Sequence, residues 1–444
     1  MKSLSKFQLV LMMVFGVMAV AGVLIFAFAV GGGSGNSVGP VVVWGTLDQS
    51  AFTVVVRQAA ENNPQLSQVS YEQKDPATYE SDLTNALASG EGPDLFLLRQ
   101  DFAMKDAGKV NIIPPGSLSQ SQFDSTFIQS AAPFLSLSGV IAIPILADPL
   151  VLYWNRDVLG SAGYAKPPVY WDEVIPMATF ISGGDSDINS RTTTRRDSSN
   201  SIQKSAISFG EYRNVDNAKA ILSTLILQAG GSITARDTGG HLVPALSPRT
   251  AEASQSTDSA LRFFTEFSDP SKNVYSWNRS LPDARACFAA GDVGLYVGYA
   301  SEEPTILKTN PNLNFGIALI PQIRNNDHSI NTAQVYGLAV SRASRNPTGA
   351  FTAAYLLASS DVSKALSTAL GIPSARRDVL SLPAKGDDDL FNRAAIPSRS
   401  WIDPDPDKTD EIFRGMIEDT VSGASKLSDA IQRADQEMGH VLGL

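Results

Sequence analysis

The sequence predicts an α/β protein built on a parallel, doubly wound sheet and preceded by one N-terminal transmembrane helix. Two patterns carry that reading. Short apolar runs alternate with amphipathic helical stripes from Val41 to Leu98, and residues 9–30 form one uninterrupted apolar stretch. Composition agrees with a folded chain of 444 residues, 43% of them hydrophobic and 18% charged. That length exceeds one ordinary core and implies two or three domains.

The stretch LVLMMVFGVMAVAGVLIFAFAV holds 22 residues and no charge. As a helix it spans roughly 33 Å, enough for the hydrocarbon core of a bilayer. Lys2 and Lys6 precede it, which keeps the N-terminus cytoplasmic and places the remainder outside. A signal peptide has a shorter apolar region of about 7–15 residues, so an uncleaved anchor is expected. Ala27-Phe28-Ala29 offers the alternative, a small-x-small cleavage site. GGGSGNSVGP, residues 31–40, reads as a flexible tether and lacks the Gly-Lys-Ser/Thr ending of a phosphate-binding loop.

The elements follow in order. VVVWG (41–45) is a strand buried on both faces. Phe52, Val55, Val56 and Ala59 form a helical stripe capped by Ser50 or Asp48 and stopped by Pro64. LSQVSYEQ (66–73) is a second strand. Asp75-Pro76 opens a helix whose stripe of Tyr79, Leu83, Ala86 and Leu87 ends at Gly90, and PDLFLL (93–98) is a third strand. GVIAIPI (139–145) and LVLYWN (150–155) are expected as two strands flanking Asp148. A helix starts at Trp171, and the polar segment 182–201 reads as a surface loop. Helices are expected at about 215–229, 250–267 and 281–292, then strands at 293–298, 314–322 and 335–342. Helices at about 346–370 and 409–441 close the chain.

Net charge is −10, and the only charges before the tether are lysines, so the folded part is more acidic still. That excludes nucleic acid as a partner, because phosphates need a basic surface. Cys287 is the single cysteine, which rules out an internal disulfide, a Cys-based zinc site and a Cys-x-x-Cys redox pair. His241, His328 and His440 stand apart from any metal-ligand spacing. DSDINS starts like a calcium loop, but Ser190 and Arg196 occupy the positions that need Gly and Glu, and DPDPDK fails in the same way. No nucleophile elbow or dinucleotide fingerprint is present, so neither an enzyme nor a cofactor is expected.

Several separated motifs carry a resemblance over residues 40–444. They are PDLFLL (93–98), IPILADPLVLYWNRDVL (143–159), WDEVIPMA (171–178), CFAAGDVGLYVGYAS (287–301), FGIALIPQ (315–322) and VYGLAVSRASRNPTGAFTAAYLLAS (335–359). In that order they resemble the family 1 extracellular solute-binding proteins, maltose-binding-protein-like components of ABC importers. The resemblance implies a two-lobe periplasmic-binding-protein-like fold with a hinge and a small-molecule ligand, a sugar or oligosaccharide, held between the lobes. It also implies ABC permease subunits as partners. The expected organisation is an anchor and tether over 1–36, one lobe from 37–147 and 316–345, and a second from 148–315 and 346–444. Hinge strands are expected near 145–150 and 315–345.

Ligand-facing groups in such folds come from loops at strand ends. Asp148 matches an acidic, sugar-contacting position of the family just before the lobe crossover; a solvated turn cap is its plain alternative. Trp44 and Asp48 lie beyond the first strand, where a buried Trp and a helix cap are the alternatives. Tyr79 is similar in place to a family aromatic, although its stripe position also suits the core. Arg99 and Gln100 follow the third strand. Trp277 and Asn278 stand in the loop before the cleft-lining helix, Tyr299 and Ser301 follow the 293–298 strand, and Tyr336 and Gly337 open another. Aromatic faces suit stacking on pyranose rings, and carboxylates accept hydroxyl hydrogen bonds. A membrane-anchored sensor or adhesion domain on the same fold remains the alternative function, as does a non-sugar solute such as a glycerol phosphate or polyamine.

Overall fold

The computed structural model describes residues 38–182, 202, 204–247, 251–326 and 328–444. The expected anchor at 9–30, its tether up to residue 37 and nearly all of the expected 182–201 loop lie outside the described residues. Among the described residues no helix is long and apolar enough to cross a membrane.

The first third follows the alternation read from the sequence. Strand β1 (Val41–Gly45) leads to α1 (Gln49–Asn62), where the Asp48 carboxylate accepts from the amide of Ala51 and caps the helix. Strand β2 (Val69–Gln73) and helix α2 (Tyr79–Ser89) follow, and α2 ends on Gly90 in the left-handed conformation that glycine adopts without strain. Asp75 starts a turn instead of the helix, its carboxylate accepting from the Ala77 amide. Strand β3 (Leu95–Arg99) pairs parallel to β1, as β2 does on the other side.

The sheet is mixed beyond β3, which corrects the expectation of a purely parallel one. Its next members are β4 (Ile143–Asn155), β5 (Ser205–Ile207), β6 (Val293–Tyr299), β7 (Phe315–Ala318), β8 (Asn331–Val340) and β9 (Ser398–Arg399). The order is β2-β1-β3-β8-β4-β6-β5, with β7 also on β4 and β9 on β8. The two strands expected around Asp148 are one, because β4 runs through it unbroken for 13 residues. Its first half pairs antiparallel with β8 and its second half with β6 and β7.

Two hydrophobic cores hang on this strand. The first gathers β1–β3, the early half of β4 and the late half of β8. The second gathers the late half of β4, β5, β6 and the helices α3 (Ala218–Gln228), α6 (Pro406–Val421) and α7 (Leu427–Val441). Between them in sequence, α4 (Pro347–Leu357) and α5 (Ser360–Leu370) are two helices where one was expected.

The expected lobe boundaries need correction here. Ala350, Ala353, Leu357 and Leu366 pack in the first core, so 346–380 does not belong with the second lobe. Ile320 packs in the second core, not the first. The reason lies in β8, which delivers the chain to the first lobe by pairing Leu338–Val340 with β3. Helices that follow directly must cover that lobe. Leu380 is the last of this stretch in the first core; Phe391 and Ala394 then pack in the second, while Ala395 still touches the first.

Candidate ligand cleft between the lobes

A cavity of about 1160 Å³ opens between the two cores. Arg99, the last residue of β3, and Gln100, Asp101 and Phe102 straight after it form its first-lobe wall. Thr332, Ala333 and Gln334 of β8 line it where the lobes join. The second lobe supplies Tyr212, Arg213 and Val215–Ala220, Tyr299 at the end of β6, Arg399 of β9 with Ser400 and Trp401 after it, and one side of α6. Loops at the ends of β3 and β6 therefore meet at one opening, as open α/β sheets favour.

The charges on these walls are largely paired within the protein. Arg99 Nε lies 3.0 Å from Asp101 Oδ1, and a second guanidinium nitrogen closes the fork on Oδ2. Burial would raise the Asp101 carboxyl, but Arg99 beside it holds it below the usual range. Lys219 Nζ donates to Asp403 at 2.9 Å and to Thr409 Oγ1 at 2.7 Å. Burial pushes Asp403 up to about 6, against the pull of Lys219. Gln100 Oε1 accepts from the Val335 amide at 2.6 Å, which ties the first-lobe wall to β8.

Aromatic surface completes the cleft. The Trp401 ring lies on Phe413 with centroids 6.1 Å apart and planes 17° from parallel, and Lys219 Nζ stands 5.6 Å over it. Tyr299 is held by its own backbone: its carbonyl accepts from the Tyr153 hydroxyl at 2.7 Å and its amide donates to Glu302 at 2.9 Å. Burial raises the Tyr299 phenol, with Arg99 acting in the opposite direction. Rigid rings beside paired polar groups can hold a ligand with one apolar face and many hydroxyls. Among the described residues no group of three His, Cys, Asp or Glu is placed to hold a metal ion.

A family model for bacterial extracellular solute-binding proteins matches residues 55–392. The chain belongs to that family. Solute-binding proteins of this kind are not enzymes. The fold is also that of a cyclo/maltodextrin-binding protein solved with maltotetraose, at a TM-score of 0.70 and 17% identity. That match covers 92% of this chain and 98% of the other. An ABC transporter solute-binding protein from Thermotoga lettingae TMO, bound with α-D-tagatose, matches at a TM-score of 0.64 and 19% identity, covering 91% and 100%.

Of the residues expected at the site, this solute-binding protein places Arg99 and Tyr299 on the cavity wall, with Gln100 beside them. Asp148 stands one layer behind, which corrects its expected ligand-facing role. It is 1% exposed, sits opposite Gln334 on β8, and accepts from the Ser301 amide at 3.0 Å. Burial pushes its carboxyl up to about 7, although the bonds from Ser301 pull the other way. Ser301 is thus engaged with Asp148 and does not line the cavity. Tyr336 lies close enough to feel Asp148 and Arg99, but its hydroxyl bonds Gln334 at 3.2 Å and it stays off the wall.

The others lie elsewhere. Trp277 is 0% exposed in the second core, its indole N–H donating to Asn214 at 3.1 Å. A large apolar ring in a tight loop gains more from that core than from a wet cleft. Asn278 shapes the same loop, accepting from the Ser280 amide. Trp44 lies under Lys74, whose Nζ is 3.7 Å from its ring centroid, and Asp48 caps α1. Tyr79 is buried and donates to the Leu97 carbonyl at 2.8 Å. Gly337 is buried where β8 shifts register, and a Cβ there would stand 2.9 Å from Ala142.

Sequence reading missed Asp101, Lys219, Gln334, Arg399, Trp401 and Asp403. Asp403 opens DPDPDK (403–408), which reads only as a failed calcium loop, and Trp401 stands two residues before it. An aromatic beside a Pro/Asp-rich loop was the available signal. Lys219 had none, since its partner Asp403 is 184 residues away.

Proposed function

We propose that this solute-binding protein captures a sugar or short oligosaccharide in the cleft and delivers it to an ABC-type importer. Residues 9–30 serve as its single-pass anchor, with the binding lobes outside the cell. One observation carries the ligand class: Trp401 and Tyr299 offer aromatic surface beside the pre-formed Arg99–Asp101 and Lys219–Asp403 pairs. Paired charges present fixed donors and acceptors to hydroxyls without demanding a charged ligand. The sugar ligands of both structural neighbours support the same class. Closure of the lobes about β4 and β8 would bury the ligand and complete its contacts.

A thermal-shift screen of the full-length chain in detergent against mono- and oligosaccharides tests the reading. A ligand at about 100 times its Kd stabilises the folded state by about 2.7 kcal/mol, a readily measured rise in Tm. No shift with any sugar, alongside a clear shift with a polyamine, would reject it. Membrane fractionation with N-terminal sequencing tests the anchor, and a released chain beginning at Val30 would reject that part alone.

A further inference from the structure

Among the described residues, Arg399 is a half-buried cation of the cleft with no partner. It lines the cavity from β9, in register with Thr332 of β8 and two residues before Trp401. Among the described residues its guanidinium donates no hydrogen bond and joins no ion pair. The other basic groups of the cleft differ. Arg99 is satisfied by Asp101, Lys219 by Asp403, and Arg414 lies 3.6 Å from Glu411. Arg213 is exposed, and water solvates it.

A guanidinium cannot discharge its cost by deprotonating, and it carries five N–H donors in a rigid fork. Partly removed from water, it favours a site that fills with a planar or tetrahedral anion. We propose that the ligand is an acidic sugar, a ring seated against Trp401 with one carboxylate or phosphate on Arg399. The proposal rests on the sugar-capture reading and narrows it. The acids of α6 limit the ligand to one anionic group. That helix presents Asp407, Asp410, Glu411 and Glu418, where a second anionic group would be repelled. Asp407 and Glu411 face Lys105 and Arg414 in turn, while Asp410 and Glu418 join no ion pair among the described residues.

Calorimetric titration of the full-length chain tests this with matched probes. Glucose and galactose, as mono- and disaccharides, are compared with their uronic acids and their 6-phosphates. The acidic member should bind about tenfold or more tightly than its neutral match, with an affinity that falls as salt rises. Arg399→Gln should remove most of that preference, Arg399→Lys should keep part of it, and Arg262→Gln, at an exposed arginine that does not line the cavity, should leave it intact. A uronate preference assigns a carboxylate and a 6-phosphate preference a phosphate; either supports the proposal. Neutral sugars binding as tightly as acidic ones, with Arg399→Gln unchanged, would overturn it and leave sugar capture standing. Binding of no sugar of either kind would overturn both.

Discussion

Lys105 and Asp405 join the two lobes: Nζ lies 3.1 Å from Oδ1, and Asp407 closes on the same ammonium. Lys105 follows the first-lobe wall, whereas Asp405 and Asp407 lie at the start of α6 in the second lobe. The three groups bridge the mouth of the cleft beside Phe102. Burial would lower the Lys105 ammonium, but the hydrogen bond it donates to Asp407 and the charge of Asp405 beside it hold it above its usual range.

Removing that bridge should loosen the cleft. Each partly exposed pair is worth about 0.2–1 kcal/mol, so Lys105→Ala should weaken ligand binding roughly two- to tenfold. Small-angle scattering should show a larger mean radius of gyration for the variant. Asp405→Asn should act in the same direction, and the double substitution should cost less than the sum. An unchanged radius and affinity for Lys105→Ala would exclude the bridge as a determinant of closure.

Stability should depend on pH through Asp148. Its folded pKa of about 7 lies above the ordinary value of 3.8, so the native state holds the proton more tightly. Its contribution is fully present below about pH 4 and is lost as pH rises towards 7. The slope for one proton is at most about 1.4 kcal/mol per pH unit. Asp148→Asn keeps a carbonyl oxygen for the Ser301 amide and should flatten that part of the profile. Glu80 and Glu303, both also raised to about 7, leave a residual slope of the same sign. Denaturant titrations of both proteins between pH 4 and 8 measure the difference.

Trp401 and Trp277 should separate binding from folding. Trp401→Ala removes aromatic surface from the cleft and should cost about 1–3 kcal/mol of affinity. Trp277→Ala empties a buried site in the second core and should cost about 3–5 kcal/mol of stability. Calorimetry and chemical denaturation of both variants distinguish the roles. A folded Trp401→Ala that binds as the parent does would remove Trp401 from the site.

Gly337 should tolerate no side chain cheaply. A Cβ would meet Ala142 at 2.9 Å and the Phe134 ring at 3.0 Å, on the strand that links the lobes. Gly337→Ala should therefore destabilise by about 1–3 kcal/mol through overpacking. Its Tm, measured without ligand, reports this directly.

The residues themselves show how far sequence reading reached. Phe52 and Leu83 were legible because a period of 3.6 reports the buried face of a helix, and Leu98 because a short continuous apolar run marks a strand buried on both faces. Arg99 and Tyr299 were legible because strand ends in α/β sheets converge on a cleft. Trp277 was misplaced because an aromatic before a cleft-lining helix looks the same whether it faces solvent or core. Its partner Asn214 is 63 residues away, and no local pattern records that contact.

The sequence by itself determined the α/β alternation, the acidic character, the apolar N-terminal stretch and the family motifs, all properties of short windows or of composition. Tertiary structure decided the rest. Pairing of β8 with β3 assigned α4 and α5 to the first lobe, and burial moved Asp148 behind the cleft. Chain return through 398–406 set Trp401, Asp403 and Arg399 against Lys219 and Thr332. Those outcomes depend on free energies of burial and charge pairing between residues far apart in the chain, which only the folded geometry brings together.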